Sequence, residues 1–306
     1  MTRKVRALRS GDRVAIVAPA SPLDRDVFER GVTELRSLGF DPSFDGSVFE
    51  RTGYVAGTAA QRAAALASAW QDSTVAGIFA LRGGYGSAQL LPLLDRNLIM
   101  SSDKPFVGCS DLTALLVYLT SYCGIVGFHG PMLVNFADGE SGYDRRSLVE
   151  ALSTGGASRE LSPEGVEAII PGEARGVLLG GTLTQLLASL STPFAFEPPE
   201  RFVLLLDDVG ERPYRIDRML TQLIQTGLLR RAVAVVCTEF PDCCDEDGRD
   251  ARGVIAELLN DFRGPVLFGF PTGHTAGPLW TLPLGVEVTV ASNPQPRIVV
   301  EESAVL

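Results

Sequence analysis

Short apolar segments alternate with amphipathic segments along the first half of the chain. The apolar segments predict strands at Arg13–Ala18, Val75–Leu81, Pro105–Gly108 and Gly124–Phe128. Between them, apolar residues recur at helical spacing over Asp24–Leu38, Ala59–Trp70, Leu90–Leu94 and Leu112–Tyr122. Strands that alternate with helices in this way are typical of a parallel α/β sheet, in which the helices connect successive strands.

The second half resumes this alternation after an irregular segment. Glycine and proline are frequent from about residue 155 to 175, which predicts a boundary between two domains, 1–160 and 170–306. Further strands are predicted at Val177–Leu179, Phe202–Leu206, Ala232–Val236 and Val266–Gly269, and a closing hairpin at Val286–Val290 with Arg297–Glu301. Helices are predicted up to Leu190, from Pro213 to Gly227 and over Val254–Phe262.

Length and charge narrow the classes of function. The 306 residues fit two domains of ordinary size. With 27 Lys and Arg against 37 Asp and Glu the net charge is −10, so the chain lacks the cationic surface that nucleic acids and anionic membranes require. Neither is therefore expected as a partner. No apolar stretch reaches the length of a membrane span and no signal peptide is evident, so we expect a cytoplasmic protein.

The five cysteines do not suggest a disulfide framework. Their number is odd and they are scattered over a long chain, as expected in a reducing compartment. Cys243 and Cys244 lie within the sequence Asp-Cys-Cys-Asp-Glu-Asp at 242–247, but adjacent cysteines do not match the usual Cys-x2-Cys zinc spacing. We interpret this segment as an acidic surface loop and predict no metal site.

The chain has only two histidines, the side chain best suited to proton transfer near neutral pH. His274 follows the strand predicted to end at Gly269, and loops beyond the carboxyl ends of strands are where α/β folds place their sites. A loop histidine that bonds a backbone carbonyl is an equally good interpretation of this feature alone. His129 follows the strand Gly124–Phe128, and a structural or pocket-lining role is favoured for it.

A possible nucleophile lies in the sequence Gly-Cys-Ser-Asp-Leu at 108–112. Ser110 would stand on a sharp turn between a strand and the N-terminus of a helix, where amides and the helix dipole favour a developing anion. The second glycine of the Gly-x-Ser-x-Gly elbow is missing, and by itself this position is more typical of a helix cap. Cys109 is a competing nucleophile, but its side chain is expected to point differently.

Two further loops carry candidate chemistry. The sequence Arg-Gly-Gly-Tyr-Gly at 82–86 lacks the spacing of a phosphate-binding loop, and an oxyanion hole beside a nucleophile explains its glycines better. The sequence Asp-Asp-Val-Gly-Glu at 207–211 places three carboxylates where a buried strand reaches the surface. A carboxylate at such a place can orient an imidazole. Taken alone, however, this cluster would be interpreted as a solvated loop.

Together these segments closely resemble the LD-carboxypeptidase family of serine peptidases. The resemblance runs in order over nearly the whole chain. It is carried by Gly-Asp-Arg-Val-Ala-Ile-Val-Ala-Pro-Ala-Ser at 11–21, Arg-Gly-Gly-Tyr-Gly at 82–86, Gly-Cys-Ser-Asp-Leu-Thr-Ala-Leu at 108–115, Gly-Pro-Met at 130–132, Leu-Gly-Gly-Thr-Leu at 179–183, Leu-Leu-Asp-Asp-Val-Gly-Glu-Arg-Pro-Tyr-Arg-Ile-Asp-Arg-Met-Leu at 205–220, Gly-His at 273–274 and Thr-Leu-Pro-Leu-Gly at 281–285.

The resemblance implies a Ser-His-Glu triad shared by an N-terminal parallel-sheet α/β domain and a C-terminal α/β domain with a barrel-like sheet. Ser110 matches the nucleophile and His274 the base. The family glutamate falls on Asp207, whose side chain is one methylene, or roughly 1.5 Å, shorter. Aspartate serves this role in other triads, and Glu211 and Asp208 are the alternative acids.

A triad of this kind also needs an oxyanion hole and contacts with its substrate. Backbone amides of Asp111 and of Gly83 or Gly84 would bind the oxyanion, and Arg82 and Tyr85 would contact the substrate. For Arg82, bracing its own loop is the alternative to binding a free carboxylate. No metal or cofactor is needed.

The substrate implied is a short peptide with a free carboxylate, the cytoplasmic murein tetrapeptide, which loses its terminal D-alanine during cell-wall recycling. A homodimer is also implied.

Two departures from the family pattern bear on the shape of the pocket. Cys109 stands where the family often has tyrosine, and Thr182 where asparagine is frequent. Three alternative functions remain open at this point. They are a microcin C-type self-immunity hydrolase of the same fold, an α/β module that binds nucleotides without catalysis, and an impaired relative that only binds peptides.

Overall fold

The computed structural model describes residues 2–153 and 158–306. Within them the strands are β1 (Arg13–Val17), β2 (Asp41–Ser43), β3 (Val75–Ala80), β4 (Phe106–Gly108), β5 (Gly127–His129), β6 (Arg159–Leu161), β7 (Glu167–Ile170), β8 (Glu173–Thr182), β9 (Phe202–Asp207), β10 (Ala232–Cys237), β11 (Val266–Phe268), β12 (Leu282–Leu284), β13 (Glu287–Ala291) and β14 (Arg297–Val300).

The α-helices of the same residues are α1 (Arg25–Ser37), α2 (Ala59–Gln71), α3 (Arg96–Ser101), α4 (Thr113–Val117), α5 (Leu133–Phe136), α6 (Arg145–Ser153), α7 (Leu183–Ser189), α8 (Pro213–Gln225), α9 (Leu228–Arg231) and α10 (Ala251–Leu258). Local chemistry explains several ends. A reciprocal capping box between Thr58 and Gln61 starts α2. Pro213 starts α8 at the position where a missing amide costs no helical hydrogen bond.

The first sheet has the order β12-β5-β4-β3-β1-β2. Strands β1 to β5 are parallel, as the alternating pattern predicted, whereas β12 runs antiparallel to β5. Because the strands are parallel, the carboxyl ends of β3, β4 and β5 meet at one edge of the sheet. The glycine loop after β3, Ser110 after β4 and His129 at the end of β5 are therefore neighbours at that edge.

The second sheet has the order β6-β14-β13-β8-β9-β10-β11-β7. Its centre, β8 to β11, is parallel, and the predicted hairpin of β13 and β14 is confirmed as an antiparallel pair. In the described part of the chain the edge strands β6 and β7 do not pair with each other. The sheet is thus open, and the barrel-like closure that the resemblance implied is not formed.

Strand β9 separates two hydrophobic cores in the described structure. Val203 and Leu205 pack into the core shared with the first sheet, whereas Phe202, Leu204 and Leu206 pack into a second core under α8 and α10. Successive side chains of a strand point to opposite faces, so Asp207 falls on the same face as Val203 and Leu205. The strand pattern therefore directs this carboxylate toward the first sheet.

The structure differs from the sequence prediction in several places. Part of the segment predicted to be irregular forms β6, β7 and the start of β8. Two of these strands lie at sheet edges, where short strands tolerate nearby glycine and proline. Residues 154–157 of that segment lie outside the described residues. The predicted helix Leu112–Tyr122 is divided into a 3-10 turn, α4 and a π-helical turn at Tyr118–Tyr122.

Strand β12 was not predicted, and it belongs to the first sheet although its residues lie in the predicted C-terminal domain. The division into domains 1–160 and 170–306 stays a prediction. Among the described residues, no helix has both the length and the apolar character needed to cross a membrane.

Candidate active site

Ser110 has an unusual backbone conformation directly after β4. Its φ is +61°, a left-handed value that is uncommon for a residue other than glycine and that concentrates at functional sites. It is the first residue of the 3-10 turn Ser110–Leu112, whose cap position is taken by Cys109. A helix cap has extended backbone angles, so the geometry differs from the cap interpretation and matches a nucleophile elbow.

The glycine loop after β3 lies against this serine. A Cβ atom built on Gly83 would come within 2.9 Å of Ser110 Oγ and 3.4 Å of the Asp111 amide nitrogen. Only a residue without a side chain can approach so closely. The Ser110 hydroxyl is therefore flanked by the backbone of Gly83 and by the Asp111 amide. That amide lies in the first turn of a helix, where an amide has no partner within the helix. An oxyanion hole needs two amides beside the nucleophile that point to one place, and here it stays a prediction.

Ser21 fixes the conformation of the glycine loop. Its amide donates to Gly83 O at 3.3 Å, and its Oγ accepts the Tyr85 amide at 3.2 Å. Gly84 has a φ of +104°, and a Cβ there would collide with Ser21 Oγ. Because the Tyr85 amide is already bound, the loop has one donor fewer to offer a phosphate, which weakens its interpretation as a phosphate-binding loop.

The Asp207 carboxylate is fully buried and is bound by four donors. The His274 ring nitrogen Nδ1 lies 2.8 Å from Oδ2, and the His274 amide donates to Oδ1 at 3.0 Å. The hydroxyls of Thr182 and Thr238 donate to Oδ2 and Oδ1 at 3.1 and 2.9 Å. Gly273, with a φ of +70°, allows this approach, since a Cβ there would lie 2.6 Å from the carboxyl carbon. The loop thus closes onto the shorter aspartate side chain.

Burial and pairing act in opposite directions on this pair. Burial alone would raise the pKa of Asp207, but the hydrogen bond and positive charge of His274 outweigh it and the pKa is lowered. Burial alone would lower the pKa of His274, but its hydrogen bond to Asp207 and the negative charges of Asp207 and Asp208 together outweigh burial, and the pKa is raised. Each partner therefore favours the charged form of the other.

The alternative acids are engaged elsewhere. The Asp208 carboxylate accepts hydrogen bonds from the amide and hydroxyl of Thr184, and burial raises its pKa. Glu211, which precedes α8, pairs at 3.4 Å with Arg215 in the first turn of that helix. In the part of the chain that the structure describes, neither carboxylate bonds His274.

Two contacts connect the serine side of the site with the histidine side. Thr113, three residues after Ser110, accepts the Thr182 amide at 3.0 Å, and Thr182 in turn bonds Asp207. His129, which lies beside Gly108 in the first sheet, is 3.0 Å from Thr272. Over residues 2–153 and 158–306 no hydrogen bond joins Ser110 to His274. Catalytic hydrogen bonds are often long before substrate binds.

The other candidate side chains near Ser110 are those of Cys109, Arg82 and Tyr85. Cys109 is fully buried, and this burial, with the charge of Asp207, raises the pKa of its thiol, so it is a poor nucleophile. Arg82 is half-buried with no ion pair within the described chain, and the half-exposed Tyr85 ring lies edge-on to Tyr54 with centroids 5.4 Å apart. Among the described residues no group of three or more His, Cys, Asp or Glu side chains is arranged to hold a metal.

Sequence reasoning missed Thr238 and Glu239, which follow β10. Thr238 bonds Asp207, and Glu239 bonds the amide of Ala276 at 2.8 Å in the histidine loop. The signal was available, because β10 is parallel to β9 and its carboxyl end must lie beside Asp207. The acidic segment 242–247 is largely exposed as predicted, although Cys243 is buried.

The chain matches models of one protein family in both halves. Residues 14–130 match the LD-carboxypeptidase N-terminal domain, and residues 175–290 match the LD-carboxypeptidase C-terminal domain. A Streptomyces coelicolor protein named as a carboxypeptidase is 38% identical over 283 residues, covering 91% of this chain and 90% of that protein. The murein tetrapeptide carboxypeptidase of Pseudomonas aeruginosa is 31% identical over 274 residues, covering 86% and 88%.

Solved structures share the fold over almost the whole chain. The muramoyltetrapeptide carboxypeptidase of Oxalobacter formigenes superimposes with a TM-score of 0.83 at 28% identity, covering 95% of this chain and 99% of that one. The microcin C7 self-immunity protein without ligand superimposes with a TM-score of 0.91 at 23% identity, covering 99% and 100%. At this lower identity the second likeness shows the fold alone.

Proposed function

The chain belongs to the LD-carboxypeptidase family of serine peptidases, and we propose that Ser110, His274 and Asp207 form its catalytic triad. The observation that carries this proposal is the buried hydrogen bond of 2.8 Å between Asp207 and His274 Nδ1. It fixes the tautomer whose other ring nitrogen, Nε2, is free to accept a proton. The strained turn at Ser110 supplies a hydroxyl at the edge of the first sheet, toward which the Asp207 face of β9 is directed.

The proposed reaction proceeds through an acyl-enzyme. His274 Nε2 accepts the Ser110 proton as Oγ bonds to the peptide carbonyl carbon. The amides of Asp111 and of Gly83 or Gly84 stabilise the negative charge that develops on the carbonyl oxygen. When the carbon–nitrogen bond breaks, His274 returns the proton to the leaving amine. Water, deprotonated by the same histidine, then hydrolyses the serine ester.

The proposed substrate is murein tetrapeptide, from which the terminal D-alanine is released. The support is the similarity over most of the chain to the carboxypeptidase of Pseudomonas aeruginosa that is named for this substrate. A carboxypeptidase must bind a free carboxylate, and Arg82 is a cation without an ion pair in the described structure, one residue from Gly83. We assign this role to Arg82 and a contact with the peptide to Tyr85. We also propose a cytoplasmic role in cell-wall recycling and a homodimeric assembly.

Ser110→Ala tests this proposal with tetrapeptide as substrate and released D-alanine as readout. Loss of the nucleophile is expected to lower kcat by roughly 10⁵-fold or more. Cys109→Ala is the matched control, since it alters the adjacent buried side chain and is expected to keep most of the activity. Full hydrolysis by Ser110→Ala, or its loss only in Cys109→Ala, would exclude the proposed nucleophile. An aminoacyl sulfamoyl nucleoside assayed in parallel tests the microcin-type alternative, which preferential cleavage of that compound would favour.

A further inference from the structure

His129 occupies a buried position between the two sides of the proposed site. It is the last residue of β5, is fully buried, and lies opposite Gly108 in the parallel register of the first sheet. Gly108 precedes Ser110 by two residues. The proposed mechanism assigns this histidine no part in proton transfer, although the chain contains only two histidines.

The hydrogen bonds around His129 determine which ring nitrogen carries the proton. Its Nδ1 is 3.0 Å from Thr272 Oγ1, and that hydroxyl donates its single proton to the Trp280 carbonyl at 2.7 Å. The hydroxyl can therefore only accept from the ring, so Nδ1 is the donor. The other nitrogen, Nε2, is buried and has no hydrogen-bond partner among the described residues. The ring thus serves as a donor to a single acceptor.

That acceptor lies at the neck of the loop that carries His274. The Trp280 amide donates to Pro271 O at 2.7 Å, and the Thr272 hydroxyl donates to Trp280 O, so two hydrogen bonds close the loop at its base. His274 follows Thr272 by two residues, and its own ring and amide bind Asp207 at the tip. His129 therefore contacts the loop from the first sheet, whereas Asp207 contacts it from the second.

The surroundings keep His129 neutral. Burial lowers its pKa to about 4, with the charge of Asp207 opposing this effect and that of His274 adding to it. Because the ring stays neutral, its hydrogen bond to Thr272 does not change across the pH range in which His274 titrates.

We propose that His129 is a positioning residue that holds the base of the His274 loop at a fixed distance from β4, the strand that precedes Ser110. It acts through Thr272 and does not touch the reacting atoms. The expected effect on the rate rests on the proposed function, whereas the contact between His129 and Thr272 is independent of the substrate.

Thr272→Val and His129→Leu remove the acceptor and the donor of the same hydrogen bond. Each is expected to lower kcat about 10- to 100-fold, because small misplacements of a catalytic group are amplified in the rate. KM should change less than about twofold, and the double variant should be no slower than the slower single variant. His129→Asn, whose amide can donate from a similar position, should recover most of the lost rate.

Thr281→Val is the matched control. It is the same substitution one residue beyond Trp280, at a fully buried hydroxyl that has no hydrogen-bond partner among the described residues, and it should leave kcat unchanged. If Thr272→Val retains the wild-type kcat, or if Thr281→Val loses as much, the inference is wrong. Because Thr272→Val also removes the hydrogen bond to Trp280 O, the loss belongs to the His129 contact only if His129→Leu shows it too and His129→Asn recovers it. A wild-type kcat in a folded His129→Leu would overturn the inference.

A second readout separates this inference from the proposed function. With only two histidines, the imidazole proton signals in an NMR titration can be assigned by substitution. In His129→Leu, which keeps the hydrogen bond from Thr272 to Trp280 O, the pKa of His274 should fall toward its ordinary value as its contact with Asp207 loosens, whereas in Thr281→Val it should stay raised. This result would support the inference even if no tetrapeptide is cleaved, and an unchanged titration in both variants would overturn it.

Discussion

The two sides of the proposed site are built by different means. On the serine side the backbone does the positioning, since Ser110 has a left-handed φ and Gly83 approaches it without a side chain. On the histidine side the positioning comes from side-chain hydrogen bonds to one buried carboxylate, Asp207. The first side should therefore be sensitive to added atoms, and the second to the loss of a charge or a hydrogen-bond acceptor.

Asp207→Asn, which tests the histidine side, should lower kcat more than Gly83→Ala, which tests the serine side. An amide cannot favour the imidazolium, and it can impose the wrong tautomer on His274, so kcat is expected to fall about 10⁴-fold. The measurement is kcat for tetrapeptide at constant pH, with circular dichroism to verify folding. Glu211→Gln is the control, since that carboxylate pairs with Arg215 and not with His274. A larger loss in Glu211→Gln would identify Glu211 as the acid instead.

Gly83→Ala tests the serine side by adding one methyl group. The new Cβ would lie 2.8 Å from Ser110 Cβ and 2.9 Å from its Oγ, so the loop must move away from the nucleophile. Displacing one oxyanion donor typically lowers the rate about 10²- to 10³-fold. Gly46→Ala is the matched control, because no heavy atom lies within 4 Å of its added Cβ. Equal rates for the two variants would show that Gly83 does not position the site.

The smallest expected change in rate is that of kcat/KM with pH, and it depends on the histidine side alone. The base must be neutral, so kcat/KM should fall as the pH drops through the pKa of His274, which is raised above its ordinary value of about 6.5. The midpoint of the acid limb should lie above 6.5 in the parent protein and move to lower pH in Asp207→Asn. The NMR titration of His274 distinguishes this group from ionisation of the substrate. A midpoint below 6.5 in the parent protein would contradict the pairing.

Much of the fold could be predicted from the chain because its signals are local. The alternation of apolar strands and amphipathic helices predicted the parallel first sheet and the core of the second, and the closing hairpin was found from its turn. Strand β12 escaped prediction because three residues around Pro283 carry no periodicity of their own. It is a strand only because β5 offers an edge to pair with.

The sequence by itself determined the residue types of the site and the end of each strand at which they lie. It also fixed the face of Asp207, since alternation along β9 follows from the strand geometry alone. Only the tertiary structure decided that Asp207, although shorter than the family glutamate, contacts His274, and that Gly83 lies against Ser110. These are contacts between segments more than twenty residues apart, and their distances depend on how loops close over the sheets. No local pattern of side chains encodes that closure.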